Sequence, residues 1–189
     1  MLDSLLIKIV YRLNALRNFG KVGKGTYCIK PLRIINGKDV SIGNNVSILH
    51  FLRLEVHRVD FINQAPIVRI GDNTNIEQNV HITAGYRVII GEECSILDGA
   101  VITDINHPYD DVNVPASRQK IQCMPVEIGN QCFVGAHAMI VPGVKLGNHV
   151  IIGANNVVTK SFPDNCVIAG VPAKIIRKYD DKTQSWVKC

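Results

Sequence analysis

What this chain lacks narrows its function first. Although 47% of its 189 residues are hydrophobic, no run approaches the roughly 18 apolar residues that a membrane-spanning helix needs. No basic block marks a nucleic-acid surface, and the formal net charge is a mild +5. Six cysteines (Cys28, Cys94, Cys123, Cys132, Cys166 and Cys189) form no Cys-x-x-Cys pair and share no even spacing. Neither a zinc knuckle nor a disulfide framework is expected from them, and a reducing, cytoplasmic setting is. The opening segment lacks the small-residue cleavage site of a signal peptide, and Lys8 splits its apolar run.

In that opening segment Leu2, Leu5, Leu6, Ile9, Val10, Leu13 and Leu16 follow i, i+3, i+4 spacing. The spacing predicts an amphipathic helix within residues 1–20 that caps the end of the domain. Lys8, Arg12 and Arg17 suggest a second use, peripheral contact with an acidic inner-membrane surface.

From about Val40 a six-residue period takes over. Each unit opens on an aliphatic residue, often continues with Gly, and carries a small or β-branched residue fifth. IGNNVS (42–47) is an early copy, and three units run over 70–87. IGEECS and ILDGAV run from 90, and six further units fill 128–163. Seven glycines hold the second position, where the pattern predicts a corner needing φ > 0. Cys94 and Cys132 fall fifth, as core fillers. Such a period is the signature of a parallel β-helix, each aliphatic residue meeting its counterpart one coil away. An all-β solenoid is expected over 21–178, with a tail over 179–189.

The period stops between Ile102 and Val126. The segment 103–127 carries three prolines and several turn formers, so it is expected to leave the coil as a long functional loop. Within it, Pro108 biases His107 towards extended backbone, and imidazole is the side chain whose ordinary pKa suits a general base near neutrality.

The repeats, the stretch TDINHPYDD with the later PVEIG, and IGANNVVTKSFPDNCVIAGVPAKIIRK (152–178) resemble the left-handed β-helix hexapeptide acyltransferases, in their sugar and polysaccharide O-acetyltransferase branch. The resemblance covers about residues 40–178. It implies a left-handed coil, a homotrimer with active sites between subunits, and direct transfer of acetyl from acetyl-CoA to a sugar hydroxyl. It implies His107 as general base. Asp104, Glu127, Glu93 or a backbone carbonyl would orient the imidazole, and Asp104 is taken as the second catalytic residue because it belongs to the resembling motif. The backbones of Ala136, Ala154 and Thr159 and the cations Lys160, Lys174 and Arg177 would hold CoA. Glu77, Asn79, Tyr86, Asn106 and Arg118 would face the acceptor, and Phe133 stands where many relatives carry Trp. No metal is expected.

Three other readings compete. A serine O-acetyltransferase has a far longer helical N-terminal domain. A γ-type carbonic anhydrase needs three converging imidazoles, and His81, His137 and His149 lack its closely spaced pair. A non-catalytic β-helix scaffold has no physical reason to hold the His-Pro, Thr-Lys and Gly-Val-Pro-Ala-Lys segments together.

Overall fold

Stacked aliphatic residues build this molecule. In the computed structural model, which describes residues 2–59 and 67–189, short parallel strands form three faces of a left-handed β-helix. The side chains of Leu2, Leu5 and Lys8 lie outside the described residues. The first face holds six parallel strands, among them Val40–Ile42, Val68–Ile70, Val88–Ile90 and Val126–Ile128. The second runs from Tyr27–Cys28 to Cys166–Gly170, and the third from Arg33–Ile35 to Val157–Val158.

The repeat's opening position points to the axis on every face. Ile42, Ile70, Ile90, Ile128 and Leu146 pair in sequence along the first face. Ile48, Ile76, Ile96, Val134, Ile152 and Ile168 do so along the second. Leu54, Ile82, Ile102, Ile140 and Val158 complete the third. All are buried, and together they form one continuous core. Cys28, Cys94, Cys132 and Cys166 are buried among them, and burial pushes the Cys28 thiol up to about 12.

The corners differ from expectation in one respect. Left-handed backbone falls at the fourth repeat position, on Asn45, Asn73, Asn79, Glu93, Gln131, His137, His149 and Asn155, and not on the second-position glycines. Those glycines answer to close approach instead. A Cβ on Gly71 would lie 2.5 Å from the Gly91 carbonyl carbon, and one on Gly129 would lie 2.4 Å from the Gly147 oxygen. Coils stacked this tightly leave no room for a methyl group.

Helix Leu2–Asn18 packs on the first coil. Ala15 and Phe19 are buried against it, and the Arg12 guanidinium donates to the carbonyls of Gly23 and Thr26 at 3.0 and 3.1 Å. The helix therefore reaches the coil through Arg12, Ala15 and Phe19, whereas Leu6, Ile9, Val10, Leu13 and Leu16 of the stripe that predicted it stay exposed. At the other end the last coil is extended by two antiparallel strands, Ala173–Asp180 and Ser185–Lys188. Stacking of Trp186 on His149, 5.9 Å between ring centres, fastens this hairpin to the coils.

Candidate active site

One excursion leaves the coil on its third face, and residues 57–59 lie beside it. Strand Val101–Thr103 hands the chain to a two-stranded antiparallel ribbon, Ile105–Asn106 against Gln122–Cys123, which carries the predicted loop. Pro108 is buried and His107 exposed, so the proline anchors the arm and the imidazole projects. Gln119 closes the arm on itself, its amide donating to the Asp111 and Val114 carbonyls at 2.9 and 2.7 Å. The backbone that follows strand Arg53–Val56 brings His57 alongside, its N–H donating to the Ala84 carbonyl.

Beneath them lies a cavity of about 470 Å³. His107, His57, His81, Thr83 and Thr103 give it polar walls, and Val101, Ile105 and Ile121 give it an apolar rim. Its floor follows from register. Arg53 pairs with His81 and His81 with Val101, while Glu55 pairs with Thr83 and Thr83 with Thr103. Outward side chains are thus stacked in two rows by the same parallel pairing that builds the core.

Glu55 stands in one of these rows between Ile35 and Thr83, almost wholly buried. Arg33 Nε lies 3.0 Å from one carboxylate oxygen and Arg53 Nη2 2.9 Å from the other, with His57 and His81 at 3.7 and 3.9 Å. The Arg53 hydrogen bond, followed by the charges of Arg53 and then Arg33, holds the carboxyl below the usual Glu range against its burial. His81 is shifted down, first by burial and then by the Arg53 cation, which favours a neutral ring sharing a 2.8 Å hydrogen bond with Thr83. Glu55→Gln leaves two guanidiniums short of a counter-charge and is expected to destabilise the protein by about 1–2 kcal/mol. Because the folded pKa is depressed, this stabilisation is full above the unfolded value, near pH 4.3. It is lost as pH falls through the lower folded value. Melting curves from pH 7 to pH 3 would show wild type and variant converging at the acid end, and parallel curves would contradict the role.

The structure gives the predicted site residues separate tasks. Asp104 is fully buried, and its carboxylate accepts from the backbone N–H groups of Gly85, Tyr86 and Arg87 at 2.6, 2.8 and 2.6 Å. Glu127 pairs with Lys145 at 3.2 Å, and Glu93 accepts from Gln131. All three carboxylates offered as partners for His107 are engaged elsewhere, and among the described residues none bonds its ring. Asn79 is a left-handed corner residue that donates to Asp98 at 2.9 Å, and Glu77 accepts from the Asp98 backbone. Tyr86 and Asn106 are half-buried beside the arm and Arg118 is exposed near its tip; none of these five lines the cavity. His57, His81, Thr83 and Thr103 do, and the sequence reading assigned them no acceptor role. A coil length of twenty residues, read from 81 to 101 and 83 to 103, was the available signal.

Of the cofactor set, Ala136 and Ala154 stack at the corner between the second and third faces, where the Asn155 N–H donates to the Ala136 carbonyl. Thr159 and Lys160 follow the last third-face strand, and the Lys160 ammonium lies 5.7 Å from the centre of the Phe162 ring. Lys174 pairs with Ala169 and Arg177 with Val167, across a register shift in strand Ala173–Asp180. Without that bulge, residues three apart would point to opposite sides; with it, both cations share the outward face. Among the described residues, no three His, Cys, Asp or Glu side chains are grouped to hold a metal.

Comparison with known proteins places this geometry. Residues 125–160 match the family model described as bacterial transferase hexapeptide (six repeats). Over 98% of its length the chain is 33% identical to 90% of WbbJ of Escherichia coli K12, a protein named for O-acetyl transfer in lipopolysaccharide biosynthesis. The chain belongs to the hexapeptide-repeat acyltransferases. The galactoside O-acetyltransferase of the same organism is 33% identical over 63% of this chain, which spans 58% of that relative's length. The hexapeptide-repeat acetyltransferase VCA0836 of Vibrio cholerae, solved with acetyl coenzyme A, shares the fold at a TM-score of 0.65 and 23% identity over 88% of this chain and 75% of its own. As a hexapeptide-repeat acyltransferase, this chain carries its projecting histidine above a polar cavity on one face of the coil.

Proposed function

We propose that this protein transfers an acetyl group from acetyl-CoA to a hydroxyl of a sugar, within a precursor of a surface polysaccharide. The observation that carries the reading is His107 projecting over a cavity lined by hydroxyls and imidazoles, on a chain related along its length to WbbJ. Thr83, Thr103, His57 and His81 suit the hydroxyls of a sugar, and Val101, Ile105 and Ile121 suit its C–H faces.

In the reaction, His107 takes the proton of the acceptor hydroxyl as its oxygen attacks the thioester carbonyl. The new C–O bond forms, the C–S bond breaks, and the imidazolium returns the proton to the CoA thiolate. No acyl-enzyme is needed, because the attacking oxygen belongs to the acceptor. Asp104 serves by shaping the corner beside the arm. CoA lies along the corner of Ala136 and Ala154 towards Thr159, where small side chains leave backbone accessible, and its phosphates meet Lys160, Lys174 and Arg177. A homotrimer completes the site: Tyr109 and Val112 stand 78% and 92% exposed on the arm, as residues that a neighbouring copy covers. The buried thiols suit a reducing cytoplasm.

Titration calorimetry with acetyl-CoA, and with dephospho-CoA as control, tests the reading. Binding is expected to weaken without the 3′-phosphate, and Arg177→Ala to raise the acetyl-CoA Kd about tenfold. No binding at all would favour a non-catalytic scaffold, and a single-chain mass in sedimentation would remove the trimer.

A further inference from the structure

The N-terminal helix turns its apolar side outward. Leu6, Ile9, Val10, Leu13 and Leu16 are between 45% and 59% exposed, and their spacing places them on one stripe. The adjoining side meets the coil through Arg12, Ala15 and Phe19, with Ile9 at the edge of the stripe over Gly25, Thr26 and Tyr27. A stripe of this kind left in water forgoes its burial energy, so the surface is built for a partner.

Charge identifies the partner. Residues 1–38 hold eight of the chain's twenty-one lysines and arginines and one of its sixteen acidic residues, Asp3 apart from Asp39 and all that follow. The segment is therefore +7 and the remainder −2, which gives the chain's +5. Arg17 flanks the stripe on the helix itself and is exposed. Lys38 reaches the helix end, donating to the carbonyls of Arg17 and Phe19, and Lys24 is exposed in the turn that Arg12 grips. The nearest buried acids are already answered, Asp39 by Arg58 at 2.7 Å and Glu55 by Arg33 and Arg53. A second copy docking through this stripe would bring like charges together. An anionic surface would be attracted.

The geometry points to the face of helix Leu2–Asn18 as a docking surface for an anionic lipid bilayer. Seventeen residues make a helix about 25 Å long, short of a hydrocarbon core of about 30 Å. Among the described residues no helix is long and apolar enough to cross a membrane. The helix lies in the interface instead, its stripe dipping into the acyl boundary and its cations among the headgroups. This inference is independent of acetyl transfer.

Co-sedimentation of the full chain with vesicles tests it. With phosphatidylethanolamine vesicles holding about a quarter phosphatidylglycerol, the protein is expected in the pellet. With phosphatidylcholine alone it stays in solution. Leu13→Glu lowers the bound fraction by at least about tenfold, and Arg17→Glu lowers it about fivefold with a shallower salt dependence. Both positions are exposed, so both variants keep the wild-type melting temperature. The inference fails if wild type ignores the anionic vesicles, if Leu13→Glu binds them as wild type does, or if binding is equal on both lipids. A fall in particle mass caused by Leu13→Glu would also overturn it, by making the stripe a contact between copies.

Discussion

Replacing His107 with alanine is expected to lower turnover by about two to four orders of magnitude and to leave acetyl-CoA affinity nearly unchanged. The asymmetry follows from position. His107 stands on the arm above the cavity, whereas the residues proposed for CoA lie on the corners and on the extended second face. Its ring is exposed, so removing it leaves no cavity in the core and little effect on folding. Steady-state kinetics with an acceptor sugar, beside calorimetry with acetyl-CoA, separates the two quantities. A variant with wild-type kcat would remove His107 from the chemistry. An equal loss in kcat and in acetyl-CoA affinity would place it in binding instead.

Much of the fold was legible because one physical requirement, an aliphatic residue at the axis once per strand, is written into each repeat. The column Ile42, Ile70, Ile90, Ile128 and Leu146 could be found by period alone. Corner chemistry was harder to read. A glycine signals equally a left-handed backbone or a close approach, and only the stacking distance of Gly71 on Gly91 decides between them. The N-terminal stripe showed that a helix forms but not which side it buries, since Arg12 found carbonyl acceptors in the first coil that the leucines could not use.

The site divides in the same way. A broken rhythm exposes an arm to view, so His107 could be singled out. His57, His81 and Thr83 reach the cavity through parallel register between coils and through the backbone just after Val56, and each looks in sequence like an ordinary outward residue. Long-range pairing carries that information, and local pattern does not.

Asp104→Asn is the sharper test of how the arm is held. Three backbone donors converge on this buried carboxylate, two of them at 2.6 Å. An amide of the same shape replaces one acceptor oxygen with an NH₂ donor facing N–H groups. At least one buried backbone donor is then left unsatisfied, and the charge assistance to all three is lost. The expected destabilisation is about 2–4 kcal/mol, or a fall in Tm of about 5–12 °C for a chain of this size. Activity should fall with it, because the corner is packed under the arm: a Cβ on Gly85 would meet Cys123 at 2.4 Å and Ile105 at 3.2 Å. The two roles open to Asp104 give different signatures. A carboxylate that orients His107 would, when neutralised, lower kcat and leave the melting curve in place. A carboxylate that clamps residues 85–87 must move the melting curve first, and at any temperature where the variant is fully folded its kcat should recover much of the loss. Unchanged thermal unfolding with a collapsed kcat would return Asp104 to the catalytic pair.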